Sequence, residues 1–194
     1  WLLQIYYNPQ QLYLYYMIAH NEDPKFVFIH IPKTAGSSLR EMVTEYFGNK
    51  NLTNWNLKQH TSASKLVSFL NKNGMHSDDY FKFSFVRNPW ARVVSYYEYQ
   101  FKTKLNFADF CKISKDHQLS YITNKKNEFM VDFVGKFENY ESDCRYILNV
   151  LGIKEHSLLH INPTKHKHYT EYYTDETREI VAKNYANDIE YFGY

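Results

Sequence analysis

Residues 26–43 read FVFIHIPKTAGSSLREMV, and the change of character inside this stretch limits the fold more than any other feature of the chain. Phe26, Val27, Phe28, Ile29 and Ile31 form a nearly continuous apolar run of the kind that suits a strand buried on both faces. Pro32-Lys33-Thr34-Ala35-Gly36 then interrupts it. From Ser37 onward, Leu39, Met42, Val43, Tyr46 and Phe47 recur at i, i+3, i+4, i+7 and i+8, the spacing of one helix face, with Gly48 at the end. A strand that feeds a helix through a tight turn is the building unit of an α/β sheet.

The unit recurs along the chain. Residues 62–73 predict a second helix carrying Leu66, Val67, Phe69 and Leu70, closed by Gly74. FKFSFV, residues 81–86, predicts a second strand, after which Asn88 suits an N-cap and Pro89 the first position of a helix running to about residue 102. Helices are expected at 106–114 and, after a strand at 131–137, over a segment with Cys144, Ile147, Leu148 and Leu151 inward. The last helix is expected from Thr174 to about residue 192, and a short one at 10–20. Alternation of this kind implies a parallel sheet covered by helices on both faces, with ligands bound beyond the carboxyl ends of the strands. The turns after Ile31 and Val86 both fall at that edge.

No repeat or Pro/Gly/Ser linker divides the 194 residues, so one domain is expected over 1–194, with residues 1–24 an extension and 25–194 the core. With 23 Lys and Arg against 21 Asp and Glu, the formal charge is only +2, which argues against a broad basic face and a nucleic-acid partner and leaves room for a local anion pocket. The most apolar run, residues 12–19, falls short of the roughly 18 residues a membrane span requires. Cys111 and Cys144 allow either one bridge or two free thiols. The 19 Tyr and 14 Phe suit half-buried packing more than stacking on sugar rings. A chain that opens on Trp1 is expected to have lost a preceding segment.

The turn after the first strand has the chemistry of an anion cradle. A helix beginning near Ser37 offers unpaired N–H groups and the positive end of its dipole. Lys33 supplies a full charge, Gly36 lets backbone approach a ligand, and Ser37 and Ser38 offer hydroxyls. The lysine precedes the glycine, so this is not a Walker A sequence, and an ordinary nucleotide triphosphatase is disfavoured. Taken alone, the stretch is also consistent with a Pro-initiated surface turn. FVRNPWARVVSYY, residues 85–97, supplies a second candidate site, with Arg87 at a strand end before a helix start and Ser95 two turns into that helix. Two such sites at one sheet edge suit a ligand with phosphates at two separated points.

HIPKTAGSS followed some fifty residues later by RNPWARVVSYY resembles the carbohydrate sulfotransferases that use 3′-phosphoadenosine 5′-phosphosulfate, in the group that includes heparan sulfate 2-O-sulfotransferase and its bacterial relatives. The resemblance runs from about Lys25 to the C-terminus. It implies a three-layer fold similar to P-loop nucleotide triphosphatases, with a central parallel sheet flanked by helices. It also implies that Lys33, Thr34, Ala35, Gly36, Ser37 and Ser38 hold the 5′-phosphosulfate while Arg87 and Ser95 hold the 3′-phosphate. The implied acceptor is a carbohydrate hydroxyl. The implied compartment is the cytoplasm for a bacterial protein and the Golgi lumen for a eukaryotic fragment.

In-line sulfuryl transfer requires positioning and a counter-charge for the leaving oxygen, for which Lys33 is the candidate. It also requires a base for the acceptor hydroxyl. His60-Thr61-Ser62 resembles the stretch around the catalytic histidine of the 2-O-sulfotransferases, with Lys58 where that family has an earlier histidine. His30 is a rival by its nearness to the cradle, while Glu41 and Glu45 read as a solvated helix face. By the same resemblance Lys165, His166 and Lys167, in a basic stretch extending to Tyr169, would form a lid over the nucleotide; without it they read as a solvated charge run. Glu138 is expected to anchor a neighbouring loop. His156, His160, His166 and His168 match no common zinc spacing, and the mechanism asks for no metal. An atypical kinase and a non-catalytic module that senses the donor or its desulfated product are the competing readings.

Overall fold

The computed structural model describes residues 17–19, 24–47, 60–153 and 167–194. Four strands form one sheet in the order β1 (Met17–Ala19), β2 (Phe26–Ile29), β3 (Phe81–Val86) and β4 (Phe133–Lys136). β2, β3 and β4 are parallel, with Phe28 opposite Phe83 and Phe83 opposite Phe133. β1 runs antiparallel on the edge, pairing Ile18 with Val27. A strand therefore stands at 17–19, where a helix over 10–20 was expected; residues 10–16 and 20 lie outside the described set. An extended edge strand completes hydrogen bonds that β2 would otherwise leave open, a tertiary demand that local periodicity does not encode.

Side-chain alternation in β2 divides the core in two. Phe26 and Phe28 pack with Phe83 and Phe85 against Leu39, Met42 and Val43 of α1 (Gly36–Phe47) and Cys144, Ile147 and Leu148 of α6 (Tyr140–Val150). Val27 and Ile29 face the opposite layer, made by Ala63, Leu66 and Leu70 of α2 (Ala63–Lys72), Ile122 of α5 (Leu119–Ile122) and Phe192 of α8 (Ala186–Phe192). A third cluster joins Val93 of α3 (Pro89–Tyr96), Phe110 and Cys111 of α4 (Phe107–Ile113), and Val181 of α7 (Asp175–Asn184) with Tyr185. The three-strand parallel sheet is thus flanked by helices, as the alternation predicts.

Asn88 caps α3 by accepting from the Ala91 N–H at 3.2 Å, and Pro89 follows at the first helical position, as its sequence implies. The expected helix over 89–102 changes at Tyr97 into a π-helical turn, Tyr97–Phe101. The expected last helix is broken at Tyr185, whose hydroxyl is held by Ser114 Oγ at 2.7 Å. Cys111 and Cys144 are free and lie in different clusters, and burial pushes both thiols up to about 12, so neither is a nucleophile at neutral pH. Among the described residues no helix is long and apolar enough to cross a membrane.

Candidate active site

Beyond β2 the chain makes the turn that the sequence marks as a cradle. Lys33 and Ala35 adopt left-handed backbone, at φ 66° and 68°, which costs a residue with a Cβ about 1–3 kcal/mol. Turns of this kind direct successive N–H groups to one side and make an anion-binding concavity. The strain persists because the turn is fastened at several points. Thr34, fully buried, donates its hydroxyl to the Ile31 carbonyl at 2.9 Å. Arg92 Nε donates to the Pro32 carbonyl at 2.9 Å and Arg87 Nη1 to that of Lys33 at 3.3 Å. A methyl group on Gly36 would lie 2.1 Å from Cδ2 and 2.2 Å from Nε2 of His30, so glycine is what lets the imidazole close the back of the turn.

The second turn, after β3, is held differently. Gln118 brackets the Arg87 backbone, accepting from its N–H at 2.8 Å and donating to its carbonyl at 2.9 Å. Gln118 is itself fixed, because the buried Asp188 of α8 accepts from its N–H at 2.8 Å and from that of Leu119 at 3.1 Å. Glu138 accepts from the Asn88 N–H at 2.7 Å and from the Tyr194 hydroxyl at 3.0 Å, the anchoring role its position suggests. The Arg87 guanidinium lies 4.1 Å from the Phe137 ring centroid, and its buried Nε has no hydrogen-bond partner among the described residues. A buried donor without a partner is costly, and an anion would relieve it.

Both turns open into one cavity of about 1200 Å³. Lys33, Ala35, Gly36, Ser37 and Ser38 line it from the first turn, and Arg87 and Ser95 from the second. Thr34 does not line it, since its hydroxyl serves the turn itself; of the expected cradle residues it alone has its side chain turned away. Burial lowers the Lys33 ammonium below its ordinary value, with the nearby Arg87 charge adding to the effect. Burial likewise lowers Arg87, to about 10. Two cations lowered chiefly by burial, facing the same half-desolvated cavity, suit a site that takes negative charge. The Lys33 ammonium rests 4.1 Å from the ring centroid of Tyr99, on the π-helical turn, where cation–π attraction holds it.

His60 and His30 stand side by side in the wall, ring centroids 4.9 Å apart. His60 Nδ1 meets the His30 carbonyl at 3.1 Å, and because a carbonyl only accepts, the hydrogen sits on Nδ1. Nε2 is left with a lone pair. Burial holds His60 below its ordinary value of 6.5 despite the opposing pull of that hydrogen bond and of Asp116, so it is neutral at pH 7. His30 is pushed down to about 3 by burial, then by His60, Arg40 and Lys33. Glu41, read from the sequence as solvated, is exposed but also lines the cavity.

Lys167, His168 and Tyr169 close part of the rim, while Lys165 and His166 lie outside the described residues. Among the described residues no group of three or more His, Cys, Asp or Glu could hold a metal ion. The sequence reading passed over Arg92, Gln118 and Tyr99. Arg92 falls within the motif that drew attention to Arg87, and its burial was the missing signal.

An α/β sheet with a cationic cavity at its carboxyl edge is of the class that handles anionic ligands at strand ends. Within that class the chain belongs to the Sulfotransferase family, whose model matches residues 16–194. It is similar to carbohydrate sulfotransferase 14 of Danio rerio, 25% identical over an alignment covering 91% of this chain and 62% of that protein. It is also similar to an uncharacterized protein of Archaeoglobus fulgidus, 32% identical over 101 residues, which cover 47% of this chain and 84% of the relative. The chain spans less than two thirds of the length of the Danio rerio protein. No solved structure matches it significantly.

Proposed function

We propose that the chain transfers a sulfuryl group from 3′-phosphoadenosine 5′-phosphosulfate to a hydroxyl of a carbohydrate acceptor. The observation that carries this reading is the convergence of the two cationic turns on one cavity that also holds a neutral histidine. The orphaned Arg87 Nε and the left-handed turn at Lys33 and Ala35 fit a ligand that is anionic at two points. When bound, the donor supplies the activated sulfuryl group. The carbohydrate acceptor is suggested by the name of the Danio rerio relative.

In this reading the backbone N–H groups around residues 35–38 and the hydroxyls of Ser37 and Ser38 hold the 5′-phosphosulfate, a role analogous to that of a P-loop. Arg87 and Ser95 hold the 3′-phosphate. Lys33 leaves Tyr99 to offset the charge that develops on the leaving phosphate oxygen. His60 takes the acceptor proton at Nε2, its Nδ1 hydrogen bond fixing the ring. Lys167, with Lys165 and His166, closes over the nucleotide. Residues 25–194 act as the donor-binding core, and the chemistry requires no metal.

The test is transfer of labelled sulfate from this donor to a panel of desulfated glycans, with His60→Ala alongside. Activity on at least one glycan with a loss of about 100-fold or more in His60→Ala is expected, the scale of a lost general base. Because His60 is held below 6.5, kcat should fall only as pH drops beneath that value. A His60→Ala variant as active as the wild type would remove His60 from the chemistry, and phosphoryl transfer from ATP in place of sulfate transfer would overturn the reading.

A further inference from the structure

Arg92 is 2% exposed, yet it carries a full charge and three directed hydrogen bonds. Its Nε donates to the Pro32 carbonyl at 2.9 Å, one residue before Lys33. Its Nη1 donates to the Asp116 carbonyl at 2.6 Å and its Nη2 to Asp116 Oδ2. Asp116 is braced in turn, since its Oδ1 accepts from the Tyr121 hydroxyl at 2.8 Å and its N–H donates to the Tyr185 hydroxyl at 3.3 Å. Arg92 sits on α3 five residues after Arg87 and three before Ser95, so it shares a helix face with Ser95. One guanidinium therefore ties the backbone of the first turn to the helix that carries the second.

A buried ion pair does not by itself need the bond to Pro32, because Asp116 already neutralises the charge. The fork adds a fixed direction that a lysine could not reproduce. From this geometry we infer that Arg92, held by Asp116, is a positioning residue that sets the spacing between the two anion-binding turns, so that a ligand with two separated phosphates gains from engaging both at once. The inference rests on the donor-site reading above and adds a source for the site's selectivity. A second phosphate held at the right spacing binds at high effective concentration; at a loosened spacing that gain is lost while each half-site keeps its own affinity.

The experiment compares three probes, 3′,5′-adenosine bisphosphate, 5′-AMP and 3′-AMP, on wild type, Arg92→Lys and Asp116→Asn by competition titration. The expected result is a loss of about 10-fold or more for the bisphosphate in both variants, with each monophosphate changing less than about 3-fold. Asp116→Asn keeps the shape of the brace, so it reports even if Arg92→Lys folds poorly. Equal losses for all three probes, or unchanged bisphosphate binding, would overturn the inference and leave the donor site standing. Failure of wild type to bind any of the three would overturn the donor-site reading, and the inference with it.

Discussion

The two turns at the sheet edge line one cavity but differ in backbone conformation and in how they are held. The turn after β2 is strained, with Lys33 and Ala35 left-handed, and is held by its own buried Thr34 hydroxyl on the Ile31 carbonyl, by Arg92 on the Pro32 carbonyl, and by the His30 ring against Gly36. The turn after β3 contains no left-handed residue and is held through its backbone by Gln118 and Glu138, leaving the Arg87 side chain to reach the cavity. In the reading proposed above, strain aims main-chain N–H groups at the 5′-phosphosulfate, where position governs rate, and an anchored arginine fork supplies affinity for the 3′-phosphate at a distance from the chemistry.

The sharpest way to break this contrast is to remove one cation from each turn. Lys33→Ala should lower kcat by roughly 100- to 1000-fold, the scale of a lost charge-stabilising donor. Arg87→Ala should act chiefly on donor KM, by roughly 10- to 100-fold, the scale of a charge-assisted hydrogen bond. Steady-state kinetics with the donor varied would separate the two, and the same kcat-to-KM split in both variants would erase the distinction between the turns. A smaller effect is expected from Gly36→Ala, whose new methyl must displace the His30 ring at a cost of about 1–3 kcal/mol. Urea unfolding should register that loss, and His30→Ala in the same chain should recover much of it. Independent, additive losses would mean that the ring and the glycine are not coupled.

A more gradual effect is expected from pH. His30 is neutral in the folded protein down to about pH 3 but takes a proton near 6.5 once unfolded. Between those values the unfolded chain binds more protons, so stability is complete above about 6.5 and declines as pH falls toward 3, by up to about 1.4 kcal/mol per unit. His60, also lowered, adds in the same direction. Unfolding free energies from pH 4 to 7 should show this slope, and His30→Gln should flatten it; an unchanged slope in that variant would assign it to other groups.

Much of this is legible in the sequence. Alternating Phe and Val in β2, the helical spacing of Leu39 to Tyr46, and the Asn88-Pro89 start of α3 are local signals, and each sits where local physics puts it. The residues that bring the turns into one cavity were harder to see. Arg92 has the sequence appearance of a helix-surface cation, and only the fold shows it buried against Pro32. The edge strand at 17–19 depends on pairing with β2, and the last helix breaks at Tyr185, whose hydroxyl meets Ser114, 71 residues away. Thr34 enters the candidate site only through the family resemblance, and the orientation of its hydroxyl, toward the Ile31 carbonyl, is not legible in the sequence.

The central claim is that both turns bind one doubly phosphorylated nucleotide, and its most direct test is isothermal titration of the wild-type protein with 3′,5′-adenosine bisphosphate beside ATP. Micromolar binding of the bisphosphate with much weaker binding of ATP is the result the account predicts. Preference for ATP, or no binding of either, would contradict it.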